Sequence, residues 1–255
     1  VAIELDMDSY RRPLADGGVG CAVTDFDTDG DLDLYVAAYG DDMLYRNNGD
    51  GTFTDVAPEM GVANEHHIVT GVWADIQHDG RPDLYVVGYV NGKPGTPDYL
   101  DINEGDRFEN RLPDNIAAND TDHGVQWGDF DQDGDLDLYV AFRASVNRLL
   151  QNNDGIFTDV TFSTGIFEPR RTVGACWFDM DADGDLDLFT ANQNGDRDGM
   201  FRTDDGMFSD VAIELDMDSY RRPLADGGVG CAVTDVDTDG DVDLYVAAYG
   251  DDMLY

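Results

Sequence analysis

An all-β chain, a β-propeller of four-stranded antiparallel blades, is the fold class this sequence predicts, and three observations predict it. One loop recurs five times, as DFDTDGDLDLYV from Asp25, DIQHDGRPDLYV from Asp75, DFDQDGDLDLYV from Asp129, DMDADGDLDLFT from Asp179 and DVDTDGDVDLYV from Asp235. Their first aspartates lie 50, 54, 50 and 56 residues apart, a period that belongs to repeat architectures. Tyr, Val, Phe and Thr fill short segments separated by Gly, Asp and Asn clusters, and no stretch sustains a helical period. Each unit is also too small to bury both faces of its own sheet, so neighbouring sheets must cover one another.

The elements follow in order. In the first unit the predicted strands are GVGCAVTD (18–25), DLYVAAY (33–39), DMLYRNN (42–48) and TFTDVA (52–57). The run DLYV is apolar on consecutive positions, as a middle strand covered on both faces requires. Trp73, Trp127 and Trp177 each stand two residues before a loop's first aspartate and are expected to pack between blades. The units cover approximately residues 1–57, 58–110, 111–160, 161–212 and 213–255 of one propeller. Residues 211–255 repeat residues 1–45 with two differences, Phe26 against Val236 and Leu32 against Val242. The last unit stops at Tyr255, where the first continues RNNGDGTFTD, so it lacks an outer strand. Five blades are favoured, with the opening VAIEL supplying part of that strand. A four-blade ring made of the 210-residue block in a tandem array, or a window of a larger ring, also satisfies the repeat.

A chain of 255 residues with 42% hydrophobic side chains can bury a proper core. Its 55 acidic against 15 basic residues give a net charge of -40, which repels nucleic acid and anionic membranes and excludes both as partners. Five divalent ions would leave about -30, and that remainder points to a secreted or cell-surface protein. No apolar run is long enough to cross a membrane. The chain opens at valine without the basic-then-apolar order of a signal peptide, so it reads as a mature piece or a window of something longer. Cys21, Cys176 and Cys231 are too few and scattered for a disulfide framework and are expected to be small buried residues.

The loops specify a hard cation. Aspartates at positions 1, 3 and 5 converge, glycine at 6 permits a sharp turn, position 7 offers a carbonyl and aspartate at 9 closes the shell, a set that suits calcium. The predicted ligands are Asp25, Asp27, Asp29, Asp31 and Asp33; Asp129, Asp131, Asp133, Asp135 and Asp137; Asp179, Asp181, Asp183, Asp185 and Asp187; and Asp235, Asp237, Asp239, Asp241 and Asp243. Val36, Val140, Thr190 or Val246 stands where an EF-hand has glutamate, and a strand follows instead of a helix. The second loop offers Asp75, Asp79 and Asp83 but places Gln77 at position 3 and Arg81 at position 7. Four strong calcium sites and a fifth, weaker one at Asp75 are expected, with calcium mainly structural because the clustered carboxylates repel one another without it.

The stretch GVGCAVTDFDTDGDLDLYVAAYGDDMLYRNNGDGTFTDVAPEMGV resembles a repeat of the FG-GAP or VCBS class. The likeness is to the ASPIC/UnbV-associated, cartilage acidic protein-like secreted propellers, and these are similar to the integrin α-chain propeller. It spans nearly the whole chain through DxDxDG, DLYV and LYRNNGDGTFTDV. The resemblance implies calcium between the first and second strands of a blade.

On the face opposite the loops, blade connections carry Arg11, Arg12, His66, His67, His123, Arg170, Arg171, Arg221 and Arg222. Arg pairs in loops usually answer nearby carboxylates, here Asp8, Asp16 and Glu168. The sharper alternative is a site for an acidic glycan, with arginine as bidentate donor. The function expected is a non-catalytic extracellular module that binds glycan or protein in adhesion. A structural array of self-associating tandem propellers and a polysaccharide-active enzyme domain are the alternatives. No nucleophile, base and acid set is evident, so an enzyme is not expected. VNGKPGTPDY (90–99) reads as a surface excursion and Asn119-Asp120-Thr121 as a glycosylation sequon.

Overall fold

Strand formers punctuated by Gly and Asp turns fold as meanders, each strand pairing with the next in sequence. The computed structural model describes residues 18–64, 68–88, 97–113, 122–143, 145–217, 227–249 and 252–255. Two compact units divide the chain, residues 1–120 and 121–255. Five antiparallel sheets form, the β-propeller class that the repeats predict. The first unit holds two. One contains β1 (Gly18–Thr24), β2 (Asp33–Ala38), β3 (Met43–Asn47) and β4 (Phe53–Asp55). The other contains β5 (Ile68–Ala74), β6 (Asp83–Gly88), β7 (Tyr99–Asn103) and β8 (Phe108–Asn110). Between them Ala57–Met60 forms one helical turn, α1, which Pro58 starts and Gly61 ends at φ 82°. No helical period in the sequence marks so short a piece.

The second unit holds three sheets. The third sheet contains β9 (Asp122–Gly128), β10 (Asp137–Phe142), β11 (Arg148–Asn153) and β12 (Ile156–Asp159). In the fourth are β13 (Thr172–Phe178), β14 (Asp187–Asn192), β15 (Gly199–Asp204) and β16 (Met207–Asp210). The fifth has three strands, β17 (Gly227–Thr234), β18 (Asp243–Tyr249) and β19 (Met253–Leu254).

Sheets cover one another as the consecutive apolar runs require. β6, β10 and β14 are buried at every position. Small residues on the first strand of each sheet allow the approach: a Cβ on Gly20 would stand 2.4 Å from the Val69 carbonyl oxygen, and one on Gly124 3.0 Å from that of Val173. Two of the tryptophans fill the space between, Trp73 edge-on to Tyr35 at 6.3 Å and Trp177 edge-on to Tyr139 at 6.1 Å, while Trp127 meets Phe157 of its own sheet at 6.2 Å. Phe26 likewise meets Phe108 at 6.1 Å, and Phe130 meets Phe208 at 5.8 Å.

The cysteines depart from expectation. Cys176 on β13 and Cys231 on β17 form a disulfide with Cα atoms 6.1 Å apart, while Cys21 is a free, exposed thiol. Cys231 stands four residues and Cys176 three residues before its own loop, on strands whose backbones touch. A Cβ on Gly174 would be 3.1 Å from Gly230 Cα. Proximity across two sheets, rather than spacing along the chain, decides the pairing.

Candidate metal centre

Each acidic loop is the turn between the first two strands of a sheet. Its first aspartate organises the turn: Asp25 accepts the Asp29 amide at 3.0 Å on Oδ1 and the Gly30 amide at 2.9 Å on Oδ2. Asp29 then accepts the Asp31 amide at 2.9 Å. The same bonds recur from Asp75, Asp129, Asp179 and Asp235. Glycine at position 6 has φ between 87° and 102° in all five loops, where a side chain is strained. Position 4 is also left-handed, at Thr28, His78, Gln132, Ala182 and Thr238, a feature that no glycine announces in the sequence.

The aspartate at position 9 has a second task. Asp33 accepts the Phe26 amide at 3.1 Å and the Asn47 amide at 2.8 Å, pinning the loop to β3. Asp83, Asp137 and Asp187 do the same for Asn103, Asn152 and Thr203. Those third-strand residues answer with their own side chains. Asn47, Asn103 and Asn152 amides and the Thr203 hydroxyl donate to the carbonyls of Leu32, Pro82, Leu136 and Leu186. Only the recurring Asn or Thr at that place in the alignment hints at this clamp. Burial, chiefly, pushes the carboxyls of Asp33 and Asp83 up to about 6 and that of Asp137 to about 7, and also raises Asp187.

The structure brings carboxylates together in four loops. Asp25, Asp27 and Asp29; Asp129, Asp131 and Asp137; Asp179, Asp181 and Asp187; and Asp235, Asp237 and Asp239 each present ligand oxygens within 4.8 Å of one another. Two sets use position 5 and two use position 9, so Asp33, Asp133, Asp183 and Asp243 lie outside the tight groups. Position 7 side chains turn to neighbours, Asp135 accepting the Asp154 amide at 2.8 Å and Asp185 the Gln132 side chain at 2.7 Å. Asp31 Oδ2 lies beside Gly49 and would be 2.8 Å from a Cβ there.

A divalent cation fits these residues. Asp27 Oδ1 is buried with no hydrogen-bond partner, and Asp27 is held protonated to higher pH by burial and then by Asp29. An acceptor of this kind, beside two other carboxylates and within electrostatic reach of Arg46, is chemically suited to a hard cation. The second loop has the same backbone but a different charge solution. Arg81 pairs with Asp79 and donates from Nε to the Asn103 carbonyl at 2.9 Å, placing a guanidinium over the loop. Asp75, Asp79 and Asp83 form no convergent group of the kind seen in the other four loops.

Of the opposite-face residues, Arg170 is largely buried and committed. It bonds Glu168, itself fully buried, at 2.5 Å and Asp210 at 2.9 Å, and its guanidinium lies 5.9 Å from the Phe201 ring centroid. Arg171 is half-exposed and stands 3.5 Å from Asp196. Arg11, Arg12, His66, His67, Arg221 and Arg222 lie outside the described residues, as do the side chain of His123, most of the 90–99 excursion and the sequon at Asn119.

Sheets joined as meanders, with acidic hairpins between first and second strands, are the features of β-propeller blades, and the model of the FG-GAP-like repeat family matches residues 25–86 and 129–190. The chain is homologous to cartilage acidic protein 1, being 31% identical to that of Xenopus tropicalis and 30% identical to that of Homo sapiens, each over 157 residues. Those matches take in 59% of this chain and 23% of each relative, so the chain spans under a quarter of their length. Among solved structures it is similar to an Agrocybe aegerita lectin that recognises non-reducing terminal N-acetylglucosamine, with TM-score 0.51 and 17% identity over 89% of this chain and 59% of that one. It is also similar to the Vibrio cholerae (V. cholerae) biofilm matrix protein Bap1, with TM-score 0.52 and 13% identity over 90% of this chain and 34% of that one. At these identities the likeness is of fold.

Proposed function

We propose that this chain is a non-catalytic binding module, secreted or displayed at the cell surface, on a scaffold that calcium stiffens. The observation that carries the reading is the convergence of three carboxylates in each of four loops, with the Asp27 oxygen buried and unpartnered in one of them. Bound calcium would supply the positive charge and the oxygen-ligated node that such hairpins lack. The chain's own part is to fix the ligands: the position 1 aspartates hold the turn, and the position 9 aspartates tie it to the third strand. The family match and the homology to an acidic protein of cartilage support a structural use of the loops. The fold likeness to a lectin supports a binding surface, for glycan or protein, on a scaffold without catalytic chemistry.

Calorimetric titration of calcium into chelator-stripped protein tests the metal assignment. Four sites are expected, with the loop at Asp75 weaker or silent. A featureless titration would overturn the reading. For the ligand, a glycan array compares the native chain with Arg171→Ala, since Arg170 holds Glu168 and Asp210 and its loss would disturb the fold. Acidic glycans bound by the native chain and lost in the variant are expected; binding left unchanged by Arg171→Ala moves the ligand to another surface.

A further inference from the structure

Two of the acidic loops, the third from Asp129 and the fourth from Asp179, are tied directly to each other. Gln132, at position 4 of the third loop, donates from its side-chain nitrogen to the Gly184 carbonyl at 2.9 Å and to Asp185 Oδ1 at 2.7 Å, both in the fourth loop. Each partner is an acceptor, so the two N–H groups of one amide are used in full. A cavity of about 270 Å³ lies between the loops, lined by Phe130, Asp131, Gln132, Asp185 and Asp205, and the glutamine reaches from one wall to the other. Position 4 does not do this in every loop. In the fourth it is Ala182, which has no side-chain donor.

The tie runs from one set of candidate ligands to the other. Gln132 stands between Asp131 and Asp133 in a left-handed conformation, φ 58°, and Asp131 belongs to the convergent group of its loop. Asp131 is held in turn by β11, where Gln151 donates to its Oδ2 at 2.5 Å. In the fourth loop the Gly184 amide donates at 3.0 Å to Oδ2 of Asp179, a member of that loop's convergent group, and the Asp185 amide donates to Asp183 at 2.9 Å. Gly184 is thus gripped at its N–H by its own loop and at its C=O by the neighbouring one.

We propose that Gln132 couples the calcium sites of the third and fourth loops, so that filling either one raises the affinity of the other. The coupling rests on the reading of these loops as calcium sites. Ligation through Asp131 restrains the backbone beside Gln132, and with it the amide that holds Gly184 and Asp185. The fourth loop then has less freedom to lose when its own ion arrives, and linkage makes the gain mutual. Charge acts in the opposite sense, since an ion in one loop offsets part of the negative field that draws an ion to the next. At about 0.15 M salt the screening length is about 8 Å, which weakens that opposition between exposed loops. A direct hydrogen bond to a carboxylate is left in place.

Gln132→Ala removes the bridge in a turn that accepts alanine, because Ala182 holds the same position of the fourth loop at φ 59°. Asp131→Asn disables the third site and Asp181→Asn the fourth. Calcium is titrated at about 0.15 M potassium chloride into chelator-stripped, ¹⁵N-labelled protein. The Gly134 and Gly184 amides, each bonded to the first aspartate of its loop, report the two sites separately by NMR. With Gln132 present, Asp131→Asn should weaken binding at Gly184 about fivefold, and Asp181→Asn should weaken it at Gly134 by a similar factor. With Gln132→Ala both glycines should still respond, and both factors should shrink several-fold. The carboxylate removed is the same in either background, so its direct effect on the neighbouring site cancels in the comparison. Equal factors with and without Gln132, or loops that fill independently in the native chain, would overturn the coupling and leave the calcium reading standing. Silence of both glycines up to about 10 mM calcium, beyond the range of weak extracellular sites, would overturn that reading and the coupling with it.

Discussion

Asp101 is the residue at which the chain works against its own packing. It pairs with Leu84 at the register position that Tyr45, Leu150 and Phe201 fill in other sheets, so a carboxyl stands where an apolar side chain belongs. It is 3% exposed, its Oδ2 has no hydrogen-bond partner, and burial followed by the Asp42 charge raises it to about 7. A raised carboxyl favours the fold in its protonated form. Its contribution is fully present below the ordinary carboxylate value near 4, and it is lost as pH rises through about 7, at a cost on the order of 4 kcal/mol above that. Asp101→Asn should therefore narrow the loss of stability between about pH 5 and pH 8. Urea melts of both proteins at the two pH values measure it, and equal losses would refute the role of Asp101. The residue was legible only through alignment, where MLYRN set beside YLDIN puts Asp101 under Tyr45. Composition hides it among 55 acidic residues.

At the scale of the hairpin, the loops show what a period can and cannot tell. Strand order, the turn glycines and the convergence of positions 1 and 3 follow from the repeated DxDxDG, because side-chain type at fixed spacing dictates them. The clamp from position 9 to the third strand, and the disulfide between sheets, depend on contacts made across strands, which spacing along the chain does not encode. Arg81 is the informative exception, since it places a cation of the protein's own beside Asp79. Gln77→Asp with Arg81→Asp should convert this hairpin to the pattern of the other loops. Metal analysis after desalting should then find one more calcium per chain, and an unchanged count would show that charge at positions 3 and 7 does not select the ion. The disulfide is a second test at this scale. Its cysteines are 55 residues apart, and closing a loop of that length stabilises by about 4 kcal/mol in the chain-entropy picture. Cys176→Ser combined with Cys231→Ser should lower the denaturation midpoint accordingly, with the drop read by urea melts at constant calcium.

Over the whole chain, the dominant quantity is charge. A net charge of -40 on 255 residues means that folding gathers negative groups that the unfolded chain holds apart. Two remedies are available, ions held in the loops and ions diffusing around the surface, and they differ in their response to salt. Carboxylates within 4.8 Å of one another interact far inside the screening length, so mobile ions relieve them poorly and a bound cation relieves them fully. Charges spread over the surface respond to mobile ions in the ordinary way. Raising sodium chloride from about 10 mM to about 100 mM shortens the screening length from about 30 Å to about 10 Å. In chelator, where neither remedy is strong at low salt, the melting temperature should climb by several degrees over that range. With about 1 mM calcium the curve should start higher and rise less, because the sites then hold much of the compensating charge and mass action stabilises the folded state by about 2.7 kcal/mol per site at a hundredfold excess over Kd. Thermal melts at several salt concentrations, with calcium and with chelator, measure both slopes. Parallel curves with a common starting point would mean that the loops hold no cation and that the acidic surface alone governs the stability of this chain.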